Sequence, residues 1–112
     1  RLRCDDAYSA TFSVKNHSGI SSGRIIDISS ASMACTFDDG IGYGINARFE
    51  DIQLRLGGHL LHTSGSISAK REIQGKFVYV IVFDAVRFSD TYIIISEFIY
   101  NGLQKNLRNI KK

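Results

Sequence analysis

The sequence contains few residues that cross-link or interrupt a chain. Its 112 residues include no proline and two cysteines, and they show no internal repeat and no linker-like segment. Cys4 and Cys35 lie far apart without metal-type spacing, so we expect reduced thiols in a cytoplasmic protein and no disulfide framework. No apolar run approaches the ~20 residues of a membrane span, and no signal-peptide pattern is present. The chain is therefore expected to form one domain with one modest core.

The net charge of +3 is concentrated at the end of the chain. Residues 1–104 contain ten Lys or Arg and eleven Asp or Glu, whereas residues 105–112 add four basic side chains. Such a tail complements the dipole at the C-terminal end of a helix. Contact with nucleic acid or an acidic membrane surface is the alternative. The single methionine is Met33, and we expect a processed chain or an excised domain with further residues before Arg1.

Alternating apolar and polar residues predict β-strands over most of the chain. The alternation from Tyr8 to Val14 has the period of a half-buried strand. Further strands are expected at residues 23–28, 33–37, 49–56 and 59–73. Gly65 is predicted to form a bulge or bend in the longest of them. The run 77–83 is apolar on both faces, which is typical of a central strand covered on each side.

The spacing of the apolar residues changes near the end of the chain. It predicts an amphipathic helix there, with Ile94, Phe98, Leu103 and Leu107 on its apolar face. The glycine-rich segment 40–44 lacks the spacing of a phosphate loop and is expected to be a flexible connection. Six strands with short connections and a covering helix predict a mostly β fold, a six-stranded antiparallel β-barrel over residues 7–83 with a helix over 90–110.

The centre of the sequence pairs a carboxylate with a hydroxyl beside a turn. Side chains alternate across a strand, so Asp27 and Ser29 are expected on one face and Ile26 and Ile28 on the other. This arrangement outlines a small site for a polar ligand. A turn closed by the Asp or Ser side chain is the alternative, and spacing alone favours it.

No pattern in the sequence assembles a nucleophile with its base. His59 and His62 are three residues apart on a predicted strand, which sends them to opposite faces and argues against a shared metal ion. The acidic pairs at residues 38–39 and 50–51 are expected to be solvated charges, and no serine lies in a G-x-S-x-G sequence. We therefore predict a binding domain without metal or cofactor, and not an enzyme.

The segment Asp27-x-Ser29-x-x-Ser32 resembles the [D/N]-x-S-x-x-G signature of the PilZ domain family, with Ser32 at the glycine position. PilZ domains are bacterial receptors for the second messenger cyclic di-GMP, and the resemblance implies their barrel and C-terminal helix. The family's other signature, R-x-x-x-R, precedes the first barrel strand. Here Asp5 stands four residues after Arg1, so the full motif is not present. The spacing to the first strand best fits Arg1 as the second arginine of the pair, with the first expected upstream of Arg1.

The resemblance implies a cyclic di-GMP site formed by Arg1, Arg3, Asp27, Ser29 and Ser32. Arg1 is expected to contact phosphate and guanine, Asp27 and Ser29 to contact the guanine edge, and Arg3 to be either a substitute contact or an exposed charge. Residues 1–6 are expected to form a flexible arm that the ligand orders, which relays the signal to a protein partner or an attached domain. If the glycine position needs a positive φ, serine there costs roughly 1–2 kcal/mol.

Two other hypotheses remain open. Asp5 and Ser32 stand where the family has arginine and glycine, which favours a degenerate PilZ-type module that assists flagellar or pilus machinery without binding nucleotide. The third hypothesis is an unrelated barrel that binds nucleic acid through the basic residues of 105–112.

Overall fold

The computed structural model describes residues 2–4, 10–16, 19–84 and 90–110, with the side chains of residues 93–104 in the last range. Seven strands precede one helix: β1 (Leu2–Arg3), β2 (Ala10–Asn16), β3 (Gly19–Ile28), β4 (Ser32–Phe37), β5 (Arg48–Leu56), β6 (His59–Ile73), β7 (Lys76–Phe83) and α1 (Asp90–Ile110). The predicted barrel strands and the helix bounds are confirmed. Tyr8, where the sequence predicts the first barrel strand to begin, lies outside the described residues.

Six antiparallel strands close into a barrel. They follow the order β3-β2-β5-β6-β7-β4, and pairing between β3 and β4 completes the ring, so each of the six has two neighbours. Closure removes the exposed sheet edges that would otherwise invite pairing with another chain. The seventh strand, β1, lies outside the ring and pairs with β3 alone.

The inward faces of the strands form one core beneath the helix. The largest side chains that are almost completely enclosed are Tyr79, Leu2, Ile28, Met33, Ile52, Leu54, Leu56, Ile67, Ile81 and Ile95. Burying an aliphatic side chain of this size contributes about 1.5–3 kcal/mol. Because every barrel strand supplies at least one residue to this core, the ring is held by packing as well as by its hydrogen bonds.

A β-bulge in β3 corrects one prediction. Ile25 pairs with Cys35 and Asp27 pairs with Ala34, so Ile26 is an extra residue without its own partner on β4. The extra residue shifts the alternation of the side chains. As a result Ile25 is buried while Ile26 is half-buried, and the expectation that Ile26 shares the inward face with Ile28 is wrong.

Gly65 lies beside a bulge, close to where the sequence predicts one. It pairs with Phe49 on β5 and with Phe83 on β7, and the register with β5 shifts directly after the Phe49 pair, since the next pair joins Ile52 to Thr63 and the extra residue is on β5. A Cβ atom at Gly65 would lie 2.4 Å from the carbonyl oxygen of Val82. Glycine is therefore required because the β7 backbone passes too close for any side chain.

The outer face of β7 is only partly covered, which corrects the expectation of a strand covered on both sides. Tyr79, Ile81 and Phe83 point into the core, whereas on the opposite face Val78 and Val80 are half-buried and Val82 is 41% exposed. An antiparallel barrel buries one face of each strand fully and can leave the other in contact with solvent.

The helix packs against the barrel with part of the predicted stripe, since Phe98 is buried and Ile94 is half-buried against the core. Ile95 is 1% exposed and Phe98 is 5% exposed, and Gly102 is buried one turn further along. Leu103 is 43% exposed, so its predicted inward orientation is wrong. The side chain of Leu107 lies outside the described residues.

The connection between β4 and β5 is anchored by Tyr43. Its hydroxyl lies 2.7 Å from the hydroxyl of Ser21, its N–H donates to the Tyr79 hydroxyl at 3.2 Å, and its carbonyl accepts from Lys70 Nζ at 3.0 Å. Its ring also packs on Phe37, with the centroids 4.6 Å apart. The expectation of a flexible connection therefore does not hold at this residue.

A charged cluster joins β5 to the end of β7. Both terminal nitrogens of Arg48 donate to the carboxylate of Asp84, at 3.0 and 2.6 Å, and its Nε donates to Glu50 at 2.6 Å. Ser64 on β6 donates to the same Asp84 carboxylate. The Arg48 and Ser64 hydrogen bonds lower the pKa of Asp84 from 3.8 to about 2, and the two carboxylates raise the pKa of Arg48.

Candidate functional site

The turn between β3 and β4 is held by the hydroxyl of Ser29. Its oxygen accepts hydrogen bonds from the N–H groups of Ala31 and Ser32, at 3.2 and 3.1 Å, and the Ser29 N–H donates to the Ser32 carbonyl at 2.8 Å. Serine favours such turns because its side chain replaces a backbone partner. The turn-closing role that spacing favours is therefore present at Ser29.

Asp27 and Ser29 lie on the outer side of the barrel wall. Both are half-buried, whereas Ile28 between them is completely enclosed in the core. The two side chains therefore project together beside the turn, as the sequence predicts. The structure leaves their binding role as a prediction.

Ser32 occupies the glycine position of the signature without strain. Among the residues described, the non-glycine residues with positive φ are Asn46 and Gln74, so Ser32 has an ordinary strand conformation. The cost that a positive φ would impose does not apply here. The Ser32 residue is 8% exposed, and its hydroxyl lies 3.4 Å from that of Ser29, so it supports the turn and offers little surface to a ligand.

Arg3 is brought to Asp27 by strand pairing. In the β1–β3 ladder, Leu2 pairs with Ile28 and Arg3 pairs with Asp27, and the Cys4 N–H donates to the Ile26 carbonyl at 2.7 Å. Residues directly opposite each other in an antiparallel ladder share a face, with Cβ atoms about 4.5–5.5 Å apart. Leu2 is 1% exposed, so this part of the predicted arm is fixed by the core, and Arg3 is exposed on the outer side. Arg1 lies outside the described residues.

Two grooves open next to Arg3, and Asp27, Ser29 and Ser32 are not among the residues that line either of them. The smaller, of about 210 Å³, is lined by Arg3, Cys4, Ala10, Arg24, Ile25, Ile26 and Thr36. The larger, of about 690 Å³, is lined by Arg24 and Thr36 again, together with Phe37, Asp38, Gly40, Ile41, Gly75, Lys76, Phe77 and Tyr79. Arg24 therefore stands where the two grooves join. Arg24 is not among the site residues that the sequence predicts.

The remaining titratable side chains of the described part of the chain are dispersed over the barrel. No group of three His, Cys, Asp or Glu side chains there is placed to hold a metal ion. His62 Nδ1 lies 3.0 Å from Asp51 on the neighbouring strand, in an exposed pair. Burial raises the pKa of the Cys35 thiol to about 12, which keeps it protonated and unreactive. Across the ranges that the structure describes, no helix is long and apolar enough to cross a membrane.

Comparison with known proteins identifies the fold. No protein-family model and no curated protein matches the sequence. The crystal structure of YcgR in complex with c-di-GMP, from Escherichia coli, aligns with 98% of this chain and 46% of its own, at a TM-score of 0.77 and 15% identity. The PilZ domain of YcgR from Escherichia coli, also with c-di-GMP, aligns with 99% of this chain and 94% of its own, at a TM-score of 0.73 and 12% identity. This chain has the PilZ fold.

The PilZ fold accounts for both the closed barrel and the terminal helix. The resemblance that Asp27, Ser29 and Ser32 suggest is thus confirmed at the level of the fold. The chain spans about half the length of the full YcgR chain and nearly all of its PilZ domain.

Proposed function

We propose that this chain is a receptor domain for cyclic di-GMP. The main support for this proposal is that Arg3 pairs with Asp27 on the outer wall of a PilZ-type barrel, beside the turn that the Ser29 hydroxyl stabilises. The two YcgR structures that share the fold were determined with c-di-GMP, which supports the same ligand here.

The chemistry of the paired residues suits a guanine dinucleotide. A guanidinium such as Arg3 matches phosphate oxygens or the O6 and N7 atoms of guanine with two parallel hydrogen bonds, and it stacks on purine faces. The Asp27 carboxylate accepts from the N–H donors on the opposite edge of guanine. Ser29 acts mainly by holding the turn, because its oxygen already accepts two backbone hydrogen bonds.

The signal output is proposed to begin at β1. Ligand bound against Arg3 and Asp27 would hold β1 on β3 and order the remaining residues of the predicted arm, which include Arg1 and span residues 1–6. That ordering would change the surface offered to a protein partner or an attached domain. An attached domain fits the comparison, since the full YcgR chain is about twice as long as this one. We place this signalling role in the bacterial cytoplasm, with motility as a candidate output.

Isothermal titration calorimetry with cyclic di-GMP tests the proposal. The unaltered chain should bind at micromolar ligand, and Asp27→Ala and Arg3→Ala should each weaken binding about tenfold or more, as loss of a charged hydrogen bond implies. Arg71→Ala is the matched control, because Arg71 is an exposed arginine on β6 opposite Val78. No heat from the unaltered chain, or an Asp27→Ala variant that binds equally well, would refute the receptor function.

A second candidate is a PilZ-type protein-interaction domain that does not bind nucleotide. Two observations favour it: the Ser29 oxygen is occupied by the turn, and the helix carries exposed apolar side chains. Ile93, Tyr100 and Leu103 are 48%, 63% and 43% exposed, and their spacing of seven and three residues places them along one side of α1. A folded chain that gives no heat with cyclic di-GMP would favour this candidate over the receptor.

A further inference from the structure

The bulge in β3 brings Arg24 into the row of residues that contains Asp27. A spacing of three normally sends two strand residues to opposite faces. Here Arg24 pairs with Thr36 and Asp27 pairs with Ala34, and Thr36 and Ala34 are two residues apart on β4. Arg24 and Asp27 therefore occupy consecutive outward positions on one wall, separated by about two strand residues, or roughly 7 Å.

Arg24 also shares a groove with Arg3. Both side chains line the smaller groove of about 210 Å³, and Arg3 lies directly opposite Asp27 on β1. The Asp27 carboxylate is on the strand position opposite Arg3, next to this groove but not among its lining residues. The Ile26 residue at the bulge also lines the groove.

The strand neighbours of Arg24 are hydroxyl-bearing residues. Thr11 pairs with it on β2 and Thr36 pairs with it on β4, so a threonine flanks the arginine on each side. Directly opposite residues have Cβ atoms about 4.5–5.5 Å apart. A guanidinium flanked by two hydroxyl groups presents several hydrogen-bond donors side by side, which suits the oxygens of a phosphate.

We propose that Arg24 binds a phosphate group of the dinucleotide while Arg3 and Asp27 hold a guanine. This inference rests on the proposed receptor function and assigns a further ligand-binding residue to its site. Arg24 supplies a second guanidinium from the barrel wall itself, in the same groove as that of Arg3. Thr36, which lines both grooves, assists the same phosphate.

Calorimetry on Arg24 variants tests the affinity part of the proposal. Arg24→Ala should weaken cyclic di-GMP binding about ten- to a hundredfold. Arg24→Lys should fall between this variant and the unaltered chain, because lysine keeps the charge and loses the paired hydrogen bonds. Arg71→Ala, which removes the same charge elsewhere on the barrel, should stay within about twofold. Circular dichroism should show all three folded, since both arginines are exposed.

Phosphorus NMR of the bound nucleotide tests the assignment to phosphate. The phosphorus shifts of the bound ligand should change in Arg24→Lys and stay unchanged in Asp27→Asn, each measured at saturating protein. An Arg24→Ala variant that binds within twofold of the unaltered chain, while Asp27→Ala loses affinity, would overturn this inference and leave the receptor function standing. Unchanged phosphorus shifts in Arg24→Lys would also overturn it. Failure of the unaltered chain to bind would overturn the receptor function, and this inference with it.

Discussion

Arg3 lies directly opposite Asp27 in the β1–β3 ladder, although the two residues are far apart in the sequence. Because they share a face and a neighbourhood, they should act on one ligand as a unit. We expect the effects of Arg3→Ala and Asp27→Ala on the cyclic di-GMP dissociation constant to be non-additive, with a coupling of about 0.5 kcal/mol or more.

A double-mutant cycle measured by calorimetry checks this coupling. The control cycle combines Asp27→Ala with Arg71→Ala, and its effects should add within about 0.5 kcal/mol. Additive effects for the Arg3 and Asp27 pair would show that the two residues do not hold the same group of the ligand.

Ser29 should contribute to stability whether or not the nucleotide binds. Its hydroxyl accepts from the N–H groups of Ala31 and Ser32, so Ser29→Ala removes the side-chain partner of both donors. We expect the free energy of unfolding to fall by about 1 kcal/mol, and Ser29→Thr to restore most of it, as judged by urea denaturation. Ser68→Ala is the control, because Ser68 is exposed and its hydrogen bond to Val80 is long, at 3.4 Å. Equal losses from Ser29→Ala and Ser68→Ala would contradict a turn-holding role.

The strands and the helix of this fold can be predicted from the sequence because they depend on the spacing of apolar residues along a short segment. The predicted strand over 59–73 and helix over 90–110 coincide with β6 and α1. The helix face was harder to predict. Residues 93–95 are all isoleucine, so the apolar pattern does not choose among neighbouring faces, and packing on the barrel selects Ile95.

The site was predictable only in part, because its remaining members depend on pairing between distant strands. The motif drew attention to Asp27 and Ser29, and their common outward face follows from alternation. The place of Arg24 beside them depends on a bulge that is defined against β4, and no spacing rule within β3 indicates it. Arg3 likewise acquires its place only when Leu2 enters the core.

Tyr43 should anchor the connection between β4 and β5 through its hydroxyl. That hydroxyl lies 2.7 Å from the hydroxyl of Ser21, which is 2% exposed. Tyr43→Phe retains the ring contacts and removes this hydrogen bond, so the free energy of unfolding should fall by about 1–2 kcal/mol. Urea denaturation measures the change, and Tyr100→Phe is the control because Tyr100 is 63% exposed on the helix. If the two variants are equally stable, the hydroxyl contact is not significant.

Gly65→Ala should destabilise the barrel strongly. The added methyl group would lie 2.4 Å from the carbonyl oxygen of Val82, and backbone atoms on β7 cannot move aside as a flexible side chain can. We expect a loss of about 2 kcal/mol or more, measured as a lower thermal midpoint and urea midpoint. Gly44→Ala is the matched control, since a methyl group there meets nothing within 4 Å. A Gly65→Ala variant as stable as Gly44→Ala would show that β6 and β7 separate easily.

Acid should weaken the contact between Arg48 and Asp84. The pKa of the folded carboxyl is lowered from 3.8 to about 2 by the hydrogen bonds from Arg48 and Ser64. Because the folded pKa lies below the unfolded one, the contact stabilises the folded state above about pH 4 and is lost as the pH falls toward 2. The urea midpoint of the unaltered chain should therefore fall over that interval. Asp84→Asn should have a lower midpoint at neutral pH and a smaller fall in acid.

The comparison with Asp84→Asn isolates one carboxyl from the general effect of acid on the protein. The side chains of Arg48 and Asp84 are 47% and 38% exposed, so solvent screens the pair and its contribution at neutral pH should be modest. Glu72→Gln, on the exposed end of β6, is the control and should follow the unaltered chain at every pH. The difference in urea midpoint between Asp84→Asn and the unaltered chain should shrink in acid, because the protonated carboxyl of the unaltered chain then resembles the neutral amide. If that difference in midpoint is the same at pH 7 and near pH 2, protonation of Asp84 does not release the contact.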